Sequence, residues 1–185
     1  AAFVTSAVAV RFVFPAVSAE GPAFWIVRTS PVRMSSFLWS KLWTGLVPVL
    51  LLAEALTVAS NHLLGVPTSL KLLCGAAIAF MAAALVGLAC GMGARYPRFA
   101  AENVTQVAGS YGGVAFMVLA VLYILATVAL LAWPASVYLW HEHQGLAVAP
   151  RRQAWMALCL ASAVALSLFT FRSSMRRGVR ALEEL

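Results

Sequence analysis

The sequence predicts an all-α fold: a polytopic bundle of transmembrane helices with four full spans, one partial N-terminal span and a helical element along the cytoplasmic membrane face. Three observations predict it. The 185-residue chain is 63% hydrophobic and only 10% charged, well beyond the apolar share of a soluble domain. Its apolar runs are continuous over roughly 20 residues, the length that crosses a bilayer. None of them divides into the short alternating strands of a membrane β-barrel. The whole chain, 1–185, reads as one membrane domain.

The partial span is Ala1 to Phe14. Its length of about 14 residues is too short to cross alone, and no basic region precedes it as in a signal peptide. It reads as the end of a span that begins earlier, so the sequence is expected to be the C-terminal part of a longer protein. Arg11 can reach the headgroups, and Pro15 and Gly21-Pro22 break the helix. Next comes Ser18 to Lys41, which is neither purely apolar nor a short loop. It sets Arg28, Arg33 and Lys41 against the single acid Glu20, which places it on the cytoplasmic side. Phe24, Trp25, Ile26, Val27, Phe37, Leu38 and Trp39 need a surface to bury against. Helices lying on the membrane face and docked on a partner provide one. Ser30-Pro31 divides the segment into two short helices, about Pro22 to Thr29 and about Pro31 to Trp39.

The second span covers about Leu42 to Leu64, with Trp39 and Trp43 as interface anchors and Gly45 and Pro48 allowing an early kink. Glu54 lies near its middle, where an ionisable group costs about 2.5–3.5 kcal/mol to insert. It marks either a substrate or proton path or an interhelical hydrogen bond. Asn61-His62 and Gly65-Val66-Pro67 form an outer turn. The third span, about Ser69 to Ala94, carries Gly87-x-x-x-Gly91, a small-xxx-small pattern for close helix approach. Arg95 to Arg98 end it inside, and Phe99 to Gln106 make a short cytoplasmic loop. The fourth span, about Val107 to Trp133, opens on a second such pattern, Gly109-x-x-x-Gly113. Trp133, Pro134, Tyr138 and Trp140 mark the outer interface. The fifth span covers about Gln153 to Phe171, and 172–185 form a cytoplasmic tail.

Charge fixes the sidedness. Arg11, Arg28, Arg33, Lys41, Arg95, Arg98, Arg172, Arg176, Arg177 and Arg180 fall inside, ten of the 13 Lys and Arg, while Lys71, Arg151 and Arg152 fall outside. This asymmetry orients a multi-pass protein in the inner (plasma) membrane with its C-terminus cytoplasmic. It also accounts for the net charge of +7 without nucleic acid, because no basic stripe interleaved with stacking aromatics is present. The lipid bilayer and its anionic headgroups are the partners of these charges.

Little in the chain points to bond-making chemistry. Cys74, Cys90 and Cys159 all lie in apolar runs and read as buried thiols. His141-Glu142-His143 has no further ligand cluster and reads as a solvated outer loop, with no metal. Ser110 lies at an inner end and the histidines at the outer face, so a serine nucleophile has no base within reach. No G-x-x-x-x-G-K-[ST] phosphate loop occurs. The chain is therefore expected to be no enzyme, to hold no cofactor and to leave ATP hydrolysis to a separate subunit.

Two motifs carry a resemblance. The first is Ser18-x-Glu20-Gly21-x-x-Phe24-Trp25-x-x-Arg28-x-x-Pro31, with Trp39-x-Lys41 and a Leu/Pro-rich span after it. The second is Arg95-Tyr-Pro-Arg98-Phe99-x-Ala101-Glu102-Asn103, before a Gly-rich span start. From about Arg11 to Tyr123 the chain resembles the bacterial ABC exporter permeases of the ABC-2-like type. The resemblance implies a permease subunit driven by a separate ABC ATPase subunit, working as a homo- or heterodimer of permeases. It implies that Glu20, Gly21, Trp25, Arg28 and Pro31 belong to the coupling element that touches the ATPase, with Arg98, Glu102 and Asn103 nearby. A membrane scaffold or assembly factor, which shares the topology and needs no ATPase, is the alternative.

Overall fold

The computed structural model describes residues 1–99, 103–144 and 150–184. Among them every regular element is a helix. Its helices are α1 (Ala2–Phe12), α2 (Phe24–Thr29), α3 (Met34–Leu63), α4 (Thr68–Arg95), α5 (Val104–Ala108), α6 (Tyr111–Gln144) and α7 (Pro150–Glu183), with short 3-10 turns at Phe14–Ala16 and Ser18–Ala23. Five stretches are long and apolar enough to cross a membrane: Ala2–Thr29, Met34–Leu63, Thr68–Arg95, Tyr111–His141 and Arg151–Glu183. Their outward faces carry bare apolar side chains such as Leu51, Val58, Val118, Leu122 and Phe169. Helices with such faces suit a lipid surround, because a helix satisfies its own backbone hydrogen bonds there.

Helix α4 is the axis of the bundle. From Met81 to Ala94 nearly every residue is buried, and α1, α3, α6, α7 and the first 3-10 turn all pack on it. The residues that permit this are small. A methyl group on Gly91 would collide with the backbone of Ser174 on α7, and one on Gly93 with the carbonyl of Phe14. A methyl on Gly87 would press on the Phe171 ring. Helix α7 answers with Gly178, where a Cβ would stand 2.8 Å from the Gly91 Cα. Ser174 and Gly178 thus form a small-xxx-small pair around Gly91, where two backbones meet with little side chain between them, while Gly87 makes room for the Phe171 ring.

The structure departs from the sequence reading at four places. Helix α1 ends at Phe12, close to the expected limit, but the stretch that follows is helical as well. Proline occupies the opening of a 3-10 turn, where its missing N–H costs nothing, and helical structure continues to Thr29 with a sharp turn at Gly21 (φ 54°, ψ −141°). The second short helix, about Pro31 to Trp39, does not exist separately. Ser30 is extended ahead of Pro31, as a residue before proline prefers, and from Met34 onward nothing interrupts α3, so Trp39 and Lys41 ride on a helix that runs to Leu63. The fourth span is broken near its start. Gly109 ends α5, and Gly113 lies where a Cβ would meet the Ala108 carbonyl, so Gly109 and Gly113 do not share one helix. That span then passes Pro134 and continues to Gln144. Finally, 172–183 are not a detached tail but the last turns of α7.

Candidate functional site

Residues 18–29 fold back on the start of α3 and on the turn after α4, and four contacts hold them there. Gly21 supplies the first. Its positive φ is a conformation that a Cβ disfavours, and the reversal it creates brings the segment beside the Phe99 carbonyl. Ser18 Oγ accepts a hydrogen bond from the Arg98 backbone N–H at 3.0 Å. The Phe24 ring stacks on Phe99 with centroids 4.5 Å apart and planes 18° from parallel, and meets the edge of Phe37 at 6.1 Å. Glu20 pairs with Lys41, whose ammonium also lies 5.5 Å from the Phe37 ring centre. The segment is therefore tied to α3 through Lys41 and Phe37, and to α4 through the Arg98-Phe99 turn.

The other residues singled out in the sequence have distinct places. Trp25 is 64% exposed on the outside of α2, and Arg28, Pro31 and the Arg98 side chain are also exposed. With Ile26 and Val32 they make a mixed apolar and basic outer surface. Glu102 lies outside the described residues. Glu54 does not join this end. It is 13 residues beyond Lys41, about 20 Å farther along α3, and its carboxylate faces Gly75 of α4, where a Cβ would lie 3.5 Å from Oε2. Gly87 and Gly91 lie in the α4–α7 contact, whereas a Cβ on Gly109 would meet the Thr105 and Gln106 carbonyls of its own turn.

Sequence reasoning missed the residues that make the latch, namely Ser18, Phe24, Phe37, Lys41 and Phe99, as a set. Their signal was present in part, since an isolated acid faced several bases and the aromatics lacked a burial site. It also missed Ser174 and Gly178, because small residues at i and i+4 amid arginines read as a polar tail. At the opposite end His141 Nδ1 lies 2.9 Å from the Val137 carbonyl, and Arg152 Nη1 lies 3.3 Å from His141 Nε2. Ser110 and His141 bracket the 31-residue stretch from Tyr111 to His141, about 46 Å of helix, which separates that serine from that base.

No curated protein and no solved structure matches the chain. A family model described as "Putative ATP-binding cassette" matches residues 1–185, the full length. That description overturns the expectation that the chain is no enzyme and leaves hydrolysis to a separate subunit. The expectation rested on the lack of one glycine-rich loop, and a missing loop excludes one way of cradling phosphates rather than nucleotide chemistry as such. An all-helical chain with five apolar helices of membrane-crossing length, it belongs to the "Putative ATP-binding cassette" family.

Proposed function

We propose that the chain is the membrane-spanning permease part of an ATP-driven exporter, oriented with the Ser18–Lys41 segment and the end of α7 in the cytoplasm. The observation that carries this reading is the latch. A short segment with an exposed apolar and basic outer face is bound on its inner face to both α3 and α4. Motion set off by nucleotide chemistry and delivered to Trp25, Arg28 and Pro31 would pass through Glu20–Lys41 into α3 and through Phe24–Phe99 into α4. Because α4 contacts every other span, its displacement would reset the whole bundle between two arrangements, an equilibrium biased by the state of the nucleotide. Family membership supports the nucleotide side of this reading, and the five apolar helices support the membrane side.

The test uses the protein in proteoliposomes supplied with ATP. ATP turnover is measured beside the labelling rate of a cysteine placed at Leu64, in the α3–α4 turn. ATP should change the labelling rate in the native background. Glu20→Ala or Arg28→Ala should keep ATP turnover and lose most of the ATP-dependent change. If both variants respond to ATP like the native protein, the segment does not transmit the motion.

A further inference from the structure

A groove between the start of α3 and the end of α7 sets an apolar floor beside a basic wall. It encloses about 760 Å³, within the ~300–1,000 Å³ range of ligand sites. Its floor is apolar. Trp39 meets the Phe171 ring edge-on with centroids 5.9 Å apart, and Leu168 extends the floor toward the middle of the bundle. Its wall is basic. Arg172, Arg176 and Arg180 line it, and their i, i+4, i+8 spacing makes one stripe about 12 Å long on α7. Among the described residues no acidic side chain lines the groove. Among the described residues these three arginines make no ion pair, and all three are exposed.

The level of the groove fits the edge of a bilayer. Tryptophan favours the headgroup boundary, so Trp39 divides an apolar lower part from a basic upper part. Arginine forks bind phosphate oxygens in pairs, and an acyl chain suits the Leu168 and Phe171 surface below them. A zwitterionic headgroup would bring its own cation among three arginines, whereas an anionic one would not. We propose that this groove is a binding site for one anionic phospholipid of the inner leaflet. Its phosphate is held by Arg172, Arg176 and Arg180, and an acyl chain lies on Trp39, Phe171 and Leu168. The inference rests on the reading of this end as the cytoplasmic edge of a membrane-spanning bundle. A lipid seated there bridges α7 to the helix that carries Lys41 and Trp39.

Native mass spectrometry of the full-length protein in detergent tests the proposal. The probes are phosphatidylglycerol, phosphatidylcholine and inorganic phosphate. One phosphatidylglycerol should be retained in preference to phosphatidylcholine, and inorganic phosphate should not displace it. The R176Q/R180Q pair should weaken retention about fivefold per arginine removed. The R151Q/R152Q pair, which removes the same charge at the other end, should leave retention unchanged. Equal loss in both pairs, equal retention of the two lipids, or displacement by inorganic phosphate would each overturn the site. Should the glutamine pair fail to fold, R176K/R180K keeps the charge and loses the forks. Reduced retention is expected there too, and undiminished retention counts against the proposal. The measurement needs neither ATP nor a transported substrate, so it stands apart from the test of transport.

Discussion

Gly91 and Gly75 occupy the same helix and face different neighbours, which lets single residues test the packing of α4. A Cβ on Gly91 would collide with the Ser174 backbone, which cannot swing away as a side chain can, while a Cβ on Gly75 would reach only ordinary contact with Glu54 Oε2 at 3.5 Å. Alanine also favours a helix over glycine by about 1 kcal/mol. Gly91→Ala is therefore expected to lower stability by about 1–3 kcal/mol through overpacking, and Gly75→Ala to be neutral or slightly stabilising. Thermal melting of the two variants in one detergent checks this, and similar melting temperatures would mean that α4 and α7 are not held at backbone contact. By contrast the Glu20–Lys41 pair is 29% and 27% exposed, and such pairs contribute only about 0–1 kcal/mol to stability. Its value lies in joining two segments 21 residues apart, so losing it should affect coupling far more than melting.

At the scale of elements, the latch depends more on rings than on charges. Phe24 is 7% exposed although it lies in a six-residue helix at the edge of the bundle. Stacking on Phe99 adds about 0.5–1.5 kcal/mol beyond the area it buries. Phe24→Ala should release α2 and leave the buried stretch of α4 intact. Tryptic cleavage after Arg28 and Arg33 should then accelerate several-fold with little change in bundle melting. Cleavage at the native rate would show that the backbone turn at Gly21, and not the rings, holds the segment. This element also marks what sequence can and cannot reveal. The spans were legible because about 20 unbroken apolar residues have one use, and α4 came within a residue of its expected limits. The faces of those helices were not legible. A helix that is apolar all round carries no periodic signal of which side meets a neighbour. The ring stack of Phe24 on Phe99 joins residues 75 positions apart, and the α5–α6 break follows from a close approach between Gly113 and Ala108 that no local pattern encodes. Arginines hid the packing pair Ser174 and Gly178 by making the last turns of α7 look like a solvated tail.

For the whole molecule, chain direction and charge agree. The segment ending in Lys41, the Arg95–Arg98 turn and the end of α7 are brought together by the packing of α3 and α7 on α4. Helices α4 and α7 run parallel, since Gly87 faces Phe171 and Gly91 faces Ser174. The Gly65 turn and the start of α7 accordingly lie at the opposite end, the end that carries Lys71, Arg151 and Arg152. The fold thus gathers ten of the 13 basic residues at one end, the kind of separation that supports the proposed orientation with that end on the cytoplasmic side. Both the latch and the lipid groove depend on this orientation. With Cys74, Cys90 and Cys159 replaced by alanine, Leu64→Cys should react with a membrane-impermeant maleimide on intact cells. Arg33→Cys should react only after the membrane is opened. The reverse pattern would place Trp25, Arg28 and the α7 arginines where no cytoplasmic nucleotide-driven domain and no inner-leaflet lipid can reach them, and both proposals would fall together.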